Sequence, residues 1–259
     1  MQNYAKSEIG ERFCLATPTG ERIFTFQHDA GSEKVGVFAH GFRSNCLGEK
    51  SQAFMEHAIK RGYSWISFDM RGHGNSDGLF ENFTLTNALQ DLDCILDSVE
   101  DREILLVGSS LGGWLSLLTA QERPRQIVAM MLIAPAINFV QNYFSSLPQQ
   151  QLDTWAETDG RKFTDLYDGS AYSLTYQIIE DASSYENSTP KPPLQCPVKI
   201  IHGDHDEVIS LDISHQLIQD YSIEHSALCV IKGGDHRLNK FIPEMCDQID
   251  TLWQPMKRD

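Results

Sequence analysis

The sequence has few cysteines and no arrangement of them that would build a site. Its six (Cys14, Cys46, Cys94, Cys196, Cys229 and Cys246) form no C-x-x-C pair and no metal-ligand spacing. That excludes a zinc or thiol-redox motif and leaves buried, reduced thiols as the expectation. Cations are scarce as well. Twenty-one Lys and Arg stand against 36 Asp and Glu, a formal charge of −15, and there is no polybasic run. Nucleic-acid binding relies on clustered positive charge, and so does adhesion to an anionic membrane, so neither is expected. The surplus of acid favours neutral or cationic small molecules over anions. No apolar run approaches the roughly 18 residues that span a bilayer. The first residues, Met1-Gln2-Asn3-Tyr4-Ala5-Lys6, have no signal-peptide core, and the expected location is cytoplasmic. Internal repeats and low-complexity tracts are also missing.

What is present is an ordinary globular composition. The 259 residues are 41% hydrophobic and 22% charged, enough for one large domain with a substantial core. Residues 12–26 read as a hairpin turning at Thr17-Pro18-Thr19-Gly20. Short apolar runs then alternate with amphipathic stretches. Strands are expected at 35–39, 65–68, 104–107, 128–133, 198–201 and 228–231. Helices are expected at 51–62, 86–99, 111–123, 214–221 and 243–253. This alternation implies an α/β fold, a mostly parallel sheet covered by helices on both faces, with ligands outside the carboxyl ends of its strands. Residues 138–193 break the rhythm. They show no clear strand but are rich in aromatics, among them Phe139, Tyr143, Phe144, Trp155, Phe163, Tyr167, Tyr172 and Tyr176. They read as a small helical lid inserted into a core made of residues 1–137 and 194–259, with Pro190-Lys191-Pro192-Pro193 as an extended connector back to it.

The residues that follow each apolar run carry the chemistry. After Val107 comes Gly108-Ser109-Ser110-Leu111-Gly112-Gly113, a G-x-S-x-G pentapeptide centred on Ser110. Gly and Ser are common, so the pentapeptide alone is weak; its position between a strand and a helix is what a nucleophile elbow requires. Ser109 fails the same test, because Val107 and Leu111 flank it where small residues are needed. A serine hydroxyl needs a base, and His236, in Gly233-Gly234-Asp235-His236 after the last strand, has the expected place in the chain order. The orienting acid falls in Asp204-His205-Asp206-Glu207, with Asp206 preferred and Asp204 the alternative. An oxyanion hole needs two backbone N–H donors. Leu111, the residue after the nucleophile, supplies one, and Phe42 in His40-Gly41-Phe42 is placed to supply the other. Asp69, Arg71 and His73 read as supports of neighbouring loops.

Taken together, His40-Gly41-Phe42, residues 69–76, 108–113 and 202–208, and Asp235-His236 resemble the α/β-hydrolase superfamily in kind and order over nearly the whole chain. Within it, residues 108–114 with Arg123-Pro124, residues 176–180, Cys196-Pro197 and Asp235-His236-Arg237 resemble the mitochondrial acyl-protein thioesterase and acyl-glucuronide esterase branch with its bacterial relatives. The resemblance implies thioesterase or carboxylesterase activity. The chain departs from that branch at its start, where no Arg-rich transit peptide is found. Serine at position 110 also differs from the elbow aspartate of the dehalogenase and epoxide hydrolase relatives. The single glycine before Phe42 is similar to the branch that acts on ordinary primary esters. The expected enzyme is a cofactor-free, metal-free serine hydrolase acting on a small ester or thioester with a medium-length or aromatic acyl group. The alternatives on the same triad are carbon–carbon bond hydrolysis, peroxyacid formation and acyl transfer. A receptor that keeps the fold without turnover is a further alternative.

Overall fold

The computed structural model describes residues 10–158, 160–165, 169–185, 193–223 and 227–254. Its strands are β1 (Glu11–Ala16), β2 (Arg22–His28), β3 (Lys34–Ala39), β4 (Ser64–Phe68), β5 (Glu103–Ser109), β6 (Ile127–Ile133), β7 (Arg161–Thr164), β8 (Ala171–Leu174), β9 (Val198–Gly203) and β10 (Ala227–Ile231). The helices are α1 (Glu49–Arg61), α2 (Leu85–Asp97), α3 (Leu111–Glu122), α4 (Gln149–Thr158), α5 (Gln177–Ala182), α6 (Leu211–Asp220) and α7 (Ile242–Trp253).

Eight strands form one sheet in the order β1-β2-β4-β3-β5-β6-β9-β10. The opening hairpin pairs antiparallel, as its turn composition demands, and Thr17 N–H closes the turn on Glu21 O at 2.8 Å. From β4 to β10 all neighbours are parallel. Both faces of the central strands are covered, which is why β5 reads Ile104-Leu105-Leu106-Val107 without alternation, every one of them fully buried. On one face pack Phe54, Met55 and Ala58 of α1 with Met245 and Ile249 of α7. On the other pack Leu92 and Ile95 of α2, Trp114 and Leu115 of α3, and Leu217 of α6.

This division creates the crevice. The chain leaves β3 toward α1 on one face, and leaves β5 toward α3 on the other. Because β3 and β5 are hydrogen-bonded neighbours, their carboxyl ends part at a switch point, where open α/β sheets bind ligands.

Two expectations are corrected. The segment between β6 and β9 is not purely helical. A π-helical turn (Val140–Phe144), α4 and α5 are joined by an antiparallel hairpin of β7 and β8. Each of these strands is four residues long, too short for alternation to register in the sequence. Trp155 of α4 is buried and donates its indole N–H to Leu174 O at 2.9 Å, tying helix to hairpin. Tyr167 and most of the Pro190–Pro193 connector lie outside the described residues. The second correction concerns the cysteines: Cys46 and Cys196 are buried, but Cys14, Cys94 and Cys246 are half-buried, and Cys229 is exposed, because β10 is the edge of the sheet and has β9 on one side only.

Candidate active site

β5 ends and α3 begins at Ser110, which takes φ 54° and ψ −117°. A side-chain-bearing residue adopts such a backbone only under constraint. Here the constraint is hydrogen bonding: Ser110 N–H donates to Ile133 O at 2.8 Å, and its carbonyl accepts from Gly113 N–H (2.9 Å) and Ala136 N–H (3.0 Å). The tightness of the turn explains the glycines. A Cβ on Gly108 would lie 2.3 Å from Gly112 O, and one on Gly112 would lie 2.1 Å from Ala39 O. No side chain fits at either place, so the chain can present Ser110 Oγ above the crevice only with glycine two residues to each side.

His236 reaches that hydroxyl from the loop after β10. Its Nε2 is 2.9 Å from Ser110 Oγ, and its Nδ1 is 2.7 Å from Asp206 Oδ2. Asp206 lies in the loop after β9, with a side chain that is nearly fully buried. Burial alone would raise its pKa. Hydrogen bonds from His202, His236 and the Ile209 N–H outweigh that and hold the carboxyl well below the ordinary range, so it stays ionised. Asp204, the alternative, turns away and accepts from Gly233 N–H at 2.6 Å, bracing the His236 loop.

Across the crevice stand Gly41 and Phe42. Neither Phe42 N–H nor Leu111 N–H donates to an acceptor among the described residues. Two buried histidines hold the Gly41–Arg43 loop. His40 Nε2 accepts from Met70 N–H at 3.2 Å while Nδ1–H donates to Gly41 O at 2.8 Å. His73 Nε2 accepts from Arg43 N–H at 3.3 Å while Nδ1–H donates to Arg71 O. Burial lowers the pKa of both, that of His73 to about 3, so both act as neutral supports. Asp69 accepts from Cys46 N–H (2.5 Å) and Asn75 N–H (2.8 Å), and Arg71 pairs with buried Asp91. The supporting role read for these residues from the sequence agrees with their contacts.

Above the serine lies a cavity of about 490 Å³. Phe42, Phe139, Tyr143 and Tyr172 make one side aromatic. The Phe42 ring packs against Phe80, Phe139 and Tyr172 at centroid distances of 5.1, 5.2 and 6.0 Å. Asn45, Lys50, Arg237 and Asn239 make another side polar.

Two residues here were not anticipated from the sequence. Arg43, in the left-handed region at φ 56°, pairs with Asp165, donates to Ser170 Oγ at 2.8 Å and lies over the Tyr172 ring at 4.6 Å. It joins the Phe42 loop to the β7–β8 hairpin. Lys50 of α1 donates to Arg237 O at 2.6 Å and to Asn239 Oδ1 at 3.2 Å, and its pKa is lowered to about 8, first by burial and then by the Arg237 charge. Neither residue belongs to a local motif; their partners are far along the chain.

The chain matches the serine aminopeptidase S33 hydrolase family over residues 31–188. It is 32% identical over 229 residues to the mitochondrial palmitoyl-protein thioesterase ABHD10 of Rattus norvegicus, covering 83% of this chain and 76% of that protein. Among solved structures it is similar to α/β-hydrolase domain-containing protein 10 from mouse, with a TM-score of 0.81 and 28% identity over 93% of this chain and 99% of that one. It is also similar to a protein from Agrobacterium vitis S4, with a TM-score of 0.88 and 25% identity over 95% and 99% of the two chains.

Proposed function

This chain belongs to the serine aminopeptidase S33 family of α/β hydrolases and is an esterase- or thioesterase-type hydrolase, and from that premise we propose that Ser110, His236 and Asp206 are its catalytic triad. The observation that carries this reading is the unbroken hydrogen-bonded line from Ser110 Oγ through His236 to the buried, ionised Asp206, opening under the cavity.

In the proposed reaction His236 Nε2 takes the Ser110 proton as Oγ attacks the acyl carbon. Asp206 keeps Nδ1 protonated and stabilises the imidazolium that forms. The oxyanion develops toward Leu111 N–H and Phe42 N–H, where preorganised donors are worth ~10²- to 10³-fold each in kcat. The position of Leu111 at the start of α3 adds the positive end of the helix dipole. His236 then protonates the departing alcohol or thiol, and a water deprotonated by the same imidazole releases the acid from Ser110. The segment between β6 and β9 acts as a lid. Its Phe139, Tyr143 and Tyr172 form an apolar wall for a medium-length or aromatic acyl group, and the polar side receives the leaving group.

Identity to a palmitoyl-protein thioesterase supports including thioesters among the substrates. The test is labelling with a fluorophosphonate and mapping of the modified peptide, beside matched oxygen ester, thioester and amide series of rising acyl length. Labelling at Ser110 with turnover of esters or thioesters is expected. Absence of labelling in folded protein overturns the triad, and a strong preference for acetyl overturns the acyl wall.

A further inference from the structure

A second histidine touches the carboxylate of the proposed triad. His202, in β9, has no exposed side-chain surface. Its Nε2 lies 3.1 Å from Asp206 Oδ2 and 3.0 Å from Ile209 O, and its Nδ1 lies 2.7 Å from Ser214 Oγ on α6. Both neighbours of Nε2 are pure acceptors. A bare ring nitrogen there would set its lone pair against two others, so Nε2 carries a hydrogen in either charge state of the ring. In the neutral ring Nδ1 is then the acceptor, and the Ser214 hydroxyl donates to it. The ring is held from both ends: its Nε2–H donates to Ile209 O, and the same N–H edge lies 3.1 Å from Asp206 Oδ2.

Asp206 is thereby met by four polar groups. Oδ1 accepts from Val208 N–H at 2.9 Å and Ile209 N–H at 2.8 Å; Oδ2 accepts from His236 Nδ1–H at 2.7 Å and has the His202 Nε2–H edge against it at 3.1 Å. Only one of these, His236, moves charge in the reaction. We propose that His202 is a positioning residue for that reaction: it fixes the orientation of the Asp206 carboxylate and draws charge from the same oxygen that holds His236. This rests on the triad reading above. The depressed pKa of Asp206 agrees with it: burial would raise that pKa, and His202 and His236 both act to lower it.

The consequence has a sign. Without the His202 donor, the negative charge on Oδ2 falls on the His236 bond alone. The imidazolium is held more tightly and returns its proton to the leaving group less readily. The acid limb of the kcat/KM profile therefore moves to higher pH, and kcat falls. The other charged groups around the His236 loop and its cavity are Asp204 after β9, Glu49 and Lys50 of α1, Asp235 and Arg237 beside His236 itself, and the Arg43–Asp165 pair that lines the same cavity. All are unchanged by a substitution at position 202.

The test compares His202→Asn with His202→Gln. The glutamine amide reaches the place of Nε2 and keeps the donor, whereas the asparagine amide reaches only the place of Nδ1. Profiles of kcat/KM against pH are measured from about pH 5 to 9 on one ester, with thermal midpoint and fluorophosphonate labelling rate alongside. For His202→Asn an upward displacement of the acid limb by ~0.5 pH unit or more and a ~10-fold loss of kcat are expected, the scale of one hydrogen bond to a charged group. His202→Gln is expected to follow the unsubstituted enzyme. An asparagine profile that superimposes on the unsubstituted one overturns the proposal, as does an equal loss in both variants with no displacement. If the asparagine variant does not fold, nitrogen-15 imidazole spectra of the unsubstituted protein decide: hydrogen on Nε2 of His202 is required, and a neutral ring protonated at Nδ1 overturns it. Failure of the unsubstituted protein to label at Ser110 removes the triad reading and this inference with it. Normal labelling without a His202 effect removes this inference alone.

Discussion

The floor and the roof of the cavity are built on different principles. The floor is backbone geometry: a strained serine between two glycines, histidine and aspartate at the ends of neighbouring parallel strands, and two buried neutral histidines under the Gly41–Arg43 loop. Its contacts are hydrogen bonds of defined direction and tolerate little displacement. The roof is side-chain packing: rings of Phe139, Phe144, Phe163 and Tyr172 at edge or stacked angles, joined to the floor through Phe42 and the Arg43–Asp165 pair. Packing contacts are non-directional and exchange more freely, so a roof of this kind can change its selectivity while the chemistry below it is kept.

Substitutions that separate the two regions sharpen the contrast. The largest effect belongs to the floor. Ser110→Ala should reduce kcat by about 10⁴-fold or more with an unchanged melting temperature, since the chemistry is lost and the packing is not. Appreciable turnover by the purified variant, measured on the best ester, would contradict the assignment.

The next effect is one of stability with pH. His40 and His73 have pKa values below the ordinary histidine value of 6.5, about 3 for His73, so the unfolded chain binds protons that the native state refuses. Native stability contributed by His73 is complete above about pH 6.5 and is lost progressively down to about pH 3, a change on the order of a few kcal/mol. Urea midpoints should therefore fall between pH 7 and 4.5, and fall less in His73→Gln. A flat dependence over that interval would show that these rings are not buried neutral supports.

Smaller again is the joint between the regions. Arg43→Ala removes the ion pair to Asp165 and the stack on Tyr172, and should raise KM by roughly 10-fold, the scale of a half-buried charged contact. A kcat loss rivalling that of Ser110→Ala would erase the distinction between floor and roof. The smallest effect is expected in the roof itself. Phe139→Ala should raise KM several-fold for octanoyl esters and little for acetyl esters, as about one ring's worth of apolar contact is withdrawn. Equal effects on both chain lengths would mean the ring supports structure and does not contact the acyl group.

The floor was also the more legible region. Residues 104–113 specify strand, turn and helix within a single local stretch, and only glycine fits beside Ser110 at the two close approaches. The order serine, acid, histidine follows from the requirement that each lie after a parallel strand. Local chemistry was enough for these, because backbone sterics and strand ends are properties of neighbouring residues. The tertiary structure alone decided the rest. Asp204 and Asp206 occupy the same turn with the same chemistry, and it is the approach of the β10 loop that puts His236 on Asp206 and Gly233 on Asp204. The β7–β8 hairpin, the Arg43–Asp165 pair across 122 positions and the hold of Lys50 on Arg237 leave no local periodicity either. Each depends on which strand lies beside which. That order is set by burying both faces of the sheet at once, a condition on the whole chain that no short stretch contains.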